Sequence, residues 1–208
     1  GAPGAGLKSE GEFVLRPARD LDAYPGYRFG RFDATTSPRV EVLDTDLTAD
    51  DGTLAVPLIL PEGLETGRPY IATATLRLRE GSGRPVERQI TRTVAPAAPV
   101  IGIRPASDDV VPEGSEARFD IIAVAPDLGR TDMQVAWTLN RVNTRYQWYR
   151  QYGDWNWEPI TTRTRIASGE GAPGDTPLSI AAPVEWGEYE LLVERTDGTY
   201  TASSVQFY

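Results

Sequence analysis

The chain has 208 residues, a formal net charge of −9 and a hydrophobic share of 40%, enough apolar material for two domains of about 100 residues each. It holds no cysteine and no histidine, which removes disulfide frameworks, thiolate zinc sites, cysteine nucleophiles, the usual general base and the commonest metal ligand together. Its single lysine is Lys8 and its arginines are scattered among 30 acidic residues, so nothing clusters to neutralise a phosphate backbone, and nucleic acid is not an expected partner.

Helical periodicity is nearly absent, and short runs rich in Val, Ile, Thr and aromatics alternate with turn residues. The first half predicts strands near Glu12–Arg16, Tyr27–Phe32, Val40–Leu43, Leu54–Leu60, Tyr70–Arg79 and Arg84–Val94. The last two read as a hairpin. Tyr70, Ala72, Ala74, Leu76 and Leu78 alternate with polar residues, Glu80-Gly81-Ser82-Gly83 reverses the chain, and Val86, Ile90 and Val94 return on one face that Arg88 and Arg92 interrupt. Ala95-Pro96-Ala97-Ala98-Pro99 reads as a stiff connector, which sets the expected domains at 1–97 and 98–208.

The second half predicts strands at Val100–Arg104, Ala117–Val124, Gln134–Arg141, Tyr146–Arg150, Trp155–Arg165, Leu178–Ala181, Tyr189–Glu194 and Tyr200–Phe207, with Trp137 as a central core residue. Gly169, Gly171 and Gly174 lie in a polar stretch without lysine or a following helix and read as a mobile loop. Fold class is therefore all-β: two tandem immunoglobulin/fibronectin-like antiparallel β-sandwiches.

One segment stands apart. Tyr146 to Pro159 carries six aromatics around Gly153-Asp154, which reads as the two-residue turn of a hairpin. In that register Tyr152 faces Trp155, Arg150 faces Trp157 within cation–π reach, and Trp148 shares their face. Tyr146, Trp148, Arg150, Trp155 and Trp157 are thus the candidate contact surface. Either they present a platform to a glycan or protein partner, or they pack on their own sandwich or the neighbouring domain.

The acidic run Asp44 to Gly52 fails the spacing of a calcium loop, with Ala49 where glycine is needed and Ala55 where glutamate is needed, and reads as a solvated turn. No carboxylate pair is singled out by its spacing. The expected catalytic, cofactor-binding and metal residues are none, no cofactor is expected, and the chain is not expected to be an enzyme. No apolar run approaches a membrane span and no signal peptide is visible. Gly1 to Gly6 and the strand-like Val205 to Tyr208 read as the ends of an excised piece.

Trp137-Thr138-Leu139, Tyr146-Gln147-Trp148-Tyr149, Trp155 to Pro159, Thr162 to Arg165 and Val184 to Tyr189 resemble a macroglobulin-type sandwich of bacterial α2-macroglobulins, and Val111-Pro112-Glu113-Gly114 with Phe119 fits the opening of the same domain. Gly26 to Gly30 and Arg84 to Arg88 look like the macroglobulin domain before it. The resemblance implies a scaffold segment of a broad-spectrum endopeptidase inhibitor, a protease trap of the periplasm or cell envelope. Its parent would be exported and lipid-anchored in some forms, its partners would be neighbouring macroglobulin domains, and proteases would be the targets of the full-length protein. No bait segment or thioester is read in this stretch. The alternative is a glycan-binding or adhesive module of the cell envelope using the Tyr146–Trp157 hairpin.

Overall fold

The computed structural model describes residues 4–61, 64, 67–79, 85–106, 111–112 and 114–208. Among them there is no helix, and twelve strands form three antiparallel four-stranded sheets, the all-β architecture expected from the sequence.

Strands β1 (Lys8–Pro17), β3 (Arg39–Leu43), β4 (Tyr70–Arg79) and β5 (Val86–Val94) form the first sheet in the order β3-β1-β4-β5. The expected hairpin is present, with Tyr70 opposite Val94 and Leu78 opposite Val86, while its turn at Glu80–Gly83 lies outside the described residues. Alternation puts Phe13, Leu15, Leu43, Tyr70, Ala72 and Ala74 on one buried face. Edge strand β5 stays exposed, and across the outer face Arg77 bonds both Glu12 (3.1 Å) and Glu87 (2.8 Å).

The expected strand at Leu54–Leu60 is not formed. The run pairs with no other strand; Val56 packs on the core face of the sheet, while Leu58, Ile59 and Leu60 are exposed. Pro57 and Pro61 explain the difference, because each lacks the N–H that a ladder needs.

The second half packs two sheets face to face. One contains β10 (Leu178–Pro183), β7 (Glu116–Val124) and β6 (Val100–Pro105); the other runs β12 (Ala202–Phe207), β11 (Glu188–Arg195), β8 (Val135–Gln151) and β9 (Asp154–Gly171). Ile101, Ile103, Phe119 and Ile121 from the first meet Leu139, Tyr189, Leu191 and Phe207 from the second. Tyr189 stacks on Phe207 at 5.5 Å, and Phe207 meets Phe119 at 5.2 Å.

Two expected strands, Gln134–Arg141 and Tyr146–Arg150, are one strand of 17 residues, because Val142 to Arg145 contains neither Gly nor Pro to break it. A bulge on β9 places Ala167 opposite Leu139 and Arg165 opposite Asn140, leaving Ile166 as the extra residue. The loop expected around Gly169 is largely strand. Gly169 pairs with Trp137, and the half-buried indole, packed on the core, lies over it so closely that an added Cβ would sit 2.9 Å from the ring. That contact selects glycine there.

The two halves are joined by more than the Ala95–Pro99 connector. Between β1 and β3 the chain leaves the first sheet, and its strand β2 (Arg28–Phe29) pairs with β6. The order β10-β7-β6-β2 therefore includes a strand from each half. Leu21, Tyr27 and Phe29 are buried against Val100, Ile122 and Val124, the face of β6 and β7 turned away from the sandwich core. Sheet β10-β7-β6-β2 is thus buried on both faces over Val100–Ile103 and Ile121–Val124, which is why those two stretches are continuous apolar runs.

Candidate functional site

Beyond Val142, the last residue of β8 that pairs with β11, strands β8 and β9 continue as a two-stranded ribbon. Cross-strand partners are Tyr146 with Pro159, Trp148 with Trp157, Arg150 with Trp155 and Gln151 with Asp154. The turn is therefore Tyr152-Gly153, not Gly153-Asp154. Both turn residues have positive φ, 54° at Tyr152 and 96° at Gly153, the conformation of a primed two-residue turn, and glycine fits its second position best. The correction moves every partner by two residues. Because side chains alternate with period two, the face is unchanged, and Tyr146, Trp148, Arg150, Trp155 and Trp157 still share one side.

All of these aromatic rings are exposed, from 56% at Trp157 to 69% at Trp155, and Tyr152 at the turn is 97% exposed. Within this chain they cover neither their own sandwich nor the first sheet. Tyr146 and Trp157 meet edge to face at 5.3 Å, and with Trp148 they line a shallow depression of about 390 Å³. Arg150 does not lie over an indole. Its Nε donates to the Gly153 carbonyl at 3.2 Å, folding the guanidinium back over the turn. The cation–π pair among the described residues is Arg104 over Tyr27, at 4.7 Å, inside the joint between the halves.

That joint is the feature the sequence reading missed. Ser203 and Ser204 are fully buried on β12. Ser203 Oγ accepts from Gly30 N (2.8 Å) and donates to the Ile101 carbonyl (2.6 Å). Ser204 Oγ accepts from Phe32 N (3.1 Å), Ser204 N donates to the Gly30 carbonyl (3.2 Å), and Arg19 Nη2 donates to the Ser204 carbonyl (2.8 Å). Gly30 has φ 73°, and a Cβ there would lie 2.9 Å from Arg68 Cβ, so glycine is required by conformation and space alike. Two adjacent serines in a strand whose other residues, Gln206 apart, are apolar were the signal available in the sequence.

Charges frame the joint. Glu190 is buried and accepts from Arg163 Nε at 2.6 Å. Arg31 holds Asp33 in a two-pronged contact at 2.9 and 2.8 Å, and that bonding keeps the Asp33 carboxyl below the usual carboxylate range. Burial, then the nearby Arg28 and Arg68, lower the pKa of Arg19. Asp120 is lowered by its bond from Arg104 and then Ser179, and Asp197 by its bond from Arg195 and then the Gln134 backbone.

These three carboxylates set an acid response. Their folded pKa values lie below the unfolded value of about 3.9, so their contribution is complete above that pH and is lost as pH falls through the folded values. Urea midpoints are expected to hold from neutrality to about pH 5 and to drop below about pH 4. Asp33→Asn with Asp120→Asn and Asp197→Asn is expected to lower the neutral midpoint and flatten the acid limb. An acid limb of unchanged slope in the triple variant would assign the response to other carboxylates.

The acidic run Asp44–Gly52 is not one solvated turn: Leu47 bridges Lys8, and the buried Thr48 bonds Gly6 and Leu7 through its backbone. Its end turns with Gly52 N donating to the Ala49 carbonyl (2.8 Å) and Asp51 Oδ1 accepting from Thr53 N (2.9 Å) and Thr53 Oγ1 (2.7 Å). Among the described residues no group of three or more His, Cys, Asp or Glu is placed to hold a metal ion, and no helix is long and apolar enough to cross a membrane.

Comparison with known proteins matches two family models: residues 1–96 to the bacterial alpha-2-macroglobulin MG5 domain and residues 102–208 to bacterial macroglobulin domain 6. An alpha-2-macroglobulin of Xylella fastidiosa is 34% identical over 206 residues, covering 93% of this chain and 12% of that protein. The alpha-2-macroglobulin of Escherichia coli is 28% identical over 230 residues, covering 100% of this chain and 14% of that protein. The structure of Salmonella alpha-2-macroglobulin reacted with methylamine superposes with a TM-score of 0.75 at 28% identity, over all of this chain and 14% of that one. Escherichia coli alpha-2-macroglobulin activated by porcine elastase gives 0.73 at 30% identity, over all of this chain and 19% of that one. The chain therefore spans about an eighth of the length of the curated relatives it matches.

Proposed function

The chain belongs to the bacterial alpha-2-macroglobulin family, and we propose that it is a scaffold segment of a protease-trapping inhibitor, without catalytic activity of its own. Residues 1–97 and 98–208 act in this reading as two macroglobulin domains, with the Ala18–Phe32 excursion of the first built into the second. The observation that carries the reading is end-to-end structural likeness to alpha-2-macroglobulins, one of them in a protease-activated form. The glycan-binding alternative gains nothing from these relatives.

The physics of the joint suits a scaffold. A strand donated across the boundary, a shared apolar cluster and buried serine bonds make the pair of domains one stiff link, because bending it would expose Phe29 and strand the buried Gly30 N–H. In the proposed setting, the periplasm or cell envelope, the link would bind neighbouring macroglobulin domains of the parent and keep the protease-sensing and trapping parts in geometry. Proteases would be targets of the full-length protein only.

The test compares the full-length parent with this 208-residue piece, each incubated with elastase or trypsin. The parent is expected to suppress cleavage of a large protein substrate, and the piece is expected to leave both proteases fully active. Inhibition by the piece alone, or a parent without effect on either protease, would overturn the proposal.

A further inference from the structure

Between β3 and β4 the chain holds one stretch shaped like a protease substrate. Leu54 to Pro61 runs without a turn or bend and joins no strand, and among the described residues it makes no backbone-to-backbone hydrogen bond. Leu58, Ile59 and Leu60 stand out from the surface, 47%, 80% and 44% exposed. The exposed rings of the 146–157 ribbon differ, because their backbones are committed to the β8–β9 ladder. An endopeptidase takes its substrate as an extended strand, through main-chain hydrogen bonds and side-chain pockets. A run with an uncommitted backbone and exposed apolar side chains fits such a cleft, and a strand already in a ladder does not.

The two prolines choose the bond. A serine endopeptidase accepts main-chain N–H groups from the residue whose carbonyl is attacked, from the residue two before it and from the second residue after the cut. Pro57 and Pro61 have no N–H to give. A cut after Ala55 would put Pro57 second after the cut. A cut after Ile59 would put Pro57 two before it and Pro61 second after. Neither proline can be the attacked residue, and the bonds from Val56 and Leu60 end on a proline nitrogen. A cut after Leu54 would draw on Gly52, which is held in a turn with φ 80° and donates to the Ala49 carbonyl. Within Leu54–Pro61, Leu58–Ile59 alone has its three donors, on Val56, Leu58 and Leu60. Pro57 then sits where no donor is needed, and its fixed φ holds the strand extended before binding. Of Val56 to Leu60 only Val56 is half-buried, so lifting it from the core is a local opening and not an unfolding. No Lys or Arg lies between Arg39 and Arg68, so the matching enzyme has an apolar specificity pocket.

We propose that the Leu58–Ile59 bond is a cleavage site for an endopeptidase with an apolar specificity pocket, and that the cut chain stays folded. Water adds across the amide, leaving a carboxylate on Leu58 and an ammonium on Ile59. The two pieces hold together because β1 and β2, before the cut, pair with β4 and β6 after it. The site stands on the backbone of this run and does not rest on the protease-trap reading. The probe is pancreatic elastase at a low ratio, added to the 208-residue chain and to its full-length parent, with products read by intact mass and amino-terminal sequencing. A new amino terminus at Ile59 is expected in both, and in the 208-residue chain it is expected first. The pieces of that chain are expected to elute together on gel filtration and to part only in denaturant. Leu58→Asp is expected to slow the cut at least ~10-fold with its melting curve unchanged, because this exposed side chain supports little of the core. Pro57→Ala/Pro61→Ala is expected to open a second cut at Ile59–Leu60, since both missing donors return. No cut at Leu58–Ile59 in the 208-residue chain, an undiminished rate in Leu58→Asp, or a double proline variant still closed at Ile59–Leu60 overturns the proposal. So does a parent left whole at this bond, which would mean that a neighbouring domain covers the run, or a pair of pieces that separate in native buffer.

Discussion

Replacing Phe29 with alanine is expected to destabilise the whole chain by about 3–5 kcal/mol, as for a fully buried aromatic side chain. Phe29 belongs to the first half by sequence, yet its ring lies on Gly102 and Ile122 of the second and is wholly inaccessible. The fit is close: a Cβ at residue 102 would stand 2.8 Å from Phe29 Cε1 and 2.9 Å from Ile122 Cγ1. Gly102→Ala is therefore expected to be costly in the parent background and cheaper once Phe29 is alanine, the positive coupling of two residues that compete for one space. Urea denaturation reads all four corners of the cycle, with the m-value as a check that two-state behaviour survives. The same packing predicts that residues 98–208 expressed alone expose Val100, Ile122 and Val124 and lose a cooperative melt. A Phe29→Ala cost under about 1 kcal/mol would mean that the two halves fold separately.

The second large effect concerns Glu190. Its carboxylate is almost wholly buried, and Arg163, whose side chain is 42% accessible, reaches in to pair with it. Arg163→Met is expected to cost about 2–4 kcal/mol, because it leaves a buried charge without its closest partner. Arg31 of the first half, which feels the Glu190 charge, softens the loss. Removing the charge as well, in Arg163→Met/Glu190→Leu, is expected to bring stability back to within about 1 kcal/mol of the parent, since two apolar groups need no partner. The comparison of single and double variants by denaturant midpoint decides the matter. A double variant as unstable as the single one would show that Glu190 is held for the geometry it gives Arg163 and Arg31, not for charge balance.

Much of the fold was legible before any coordinates. Alternation located β1, β3, β4 and, in the second sandwich, β6, β7, β10, β11 and β12 to within a few residues, because a strand with one buried face must place apolar residues at every second position. It divided β8 into two strands and ended β9 at Arg165. The failures have local causes. Leu54–Leu60 has the apolar content of a strand, but Pro57 and Pro61 remove donors that a ladder requires. The turn of the ribbon was displaced by one residue because Gly153 can serve either position of a two-residue loop, and only the positive φ of Tyr152 decides which. Gly169 looked like loop composition, and the indole of Trp137 lying over it is visible only once β8 and β9 are paired.

By itself the sequence determined the all-β class, the absence of cysteine and histidine chemistry, and the face on which the ribbon gathers its rings. These follow from composition and from a period of two, which survives a slip of register by an even number. Tertiary structure alone decided that the ribbon stands free of the body and that Tyr24, Tyr27 and Phe29 cross from one half to cover the other. It alone paired Ser203 with Gly30 across 173 positions of chain and Glu190 on β11 with Arg163 on β9, across the intervening β8. The physical reason is that periodicity reports which face of a strand is buried and is silent about what buries it. Val100–Ile103 of β6 and Ile121–Val124 of β7 are apolar on both sides, and only the fold reveals that the second cover is supplied by the other half of the molecule.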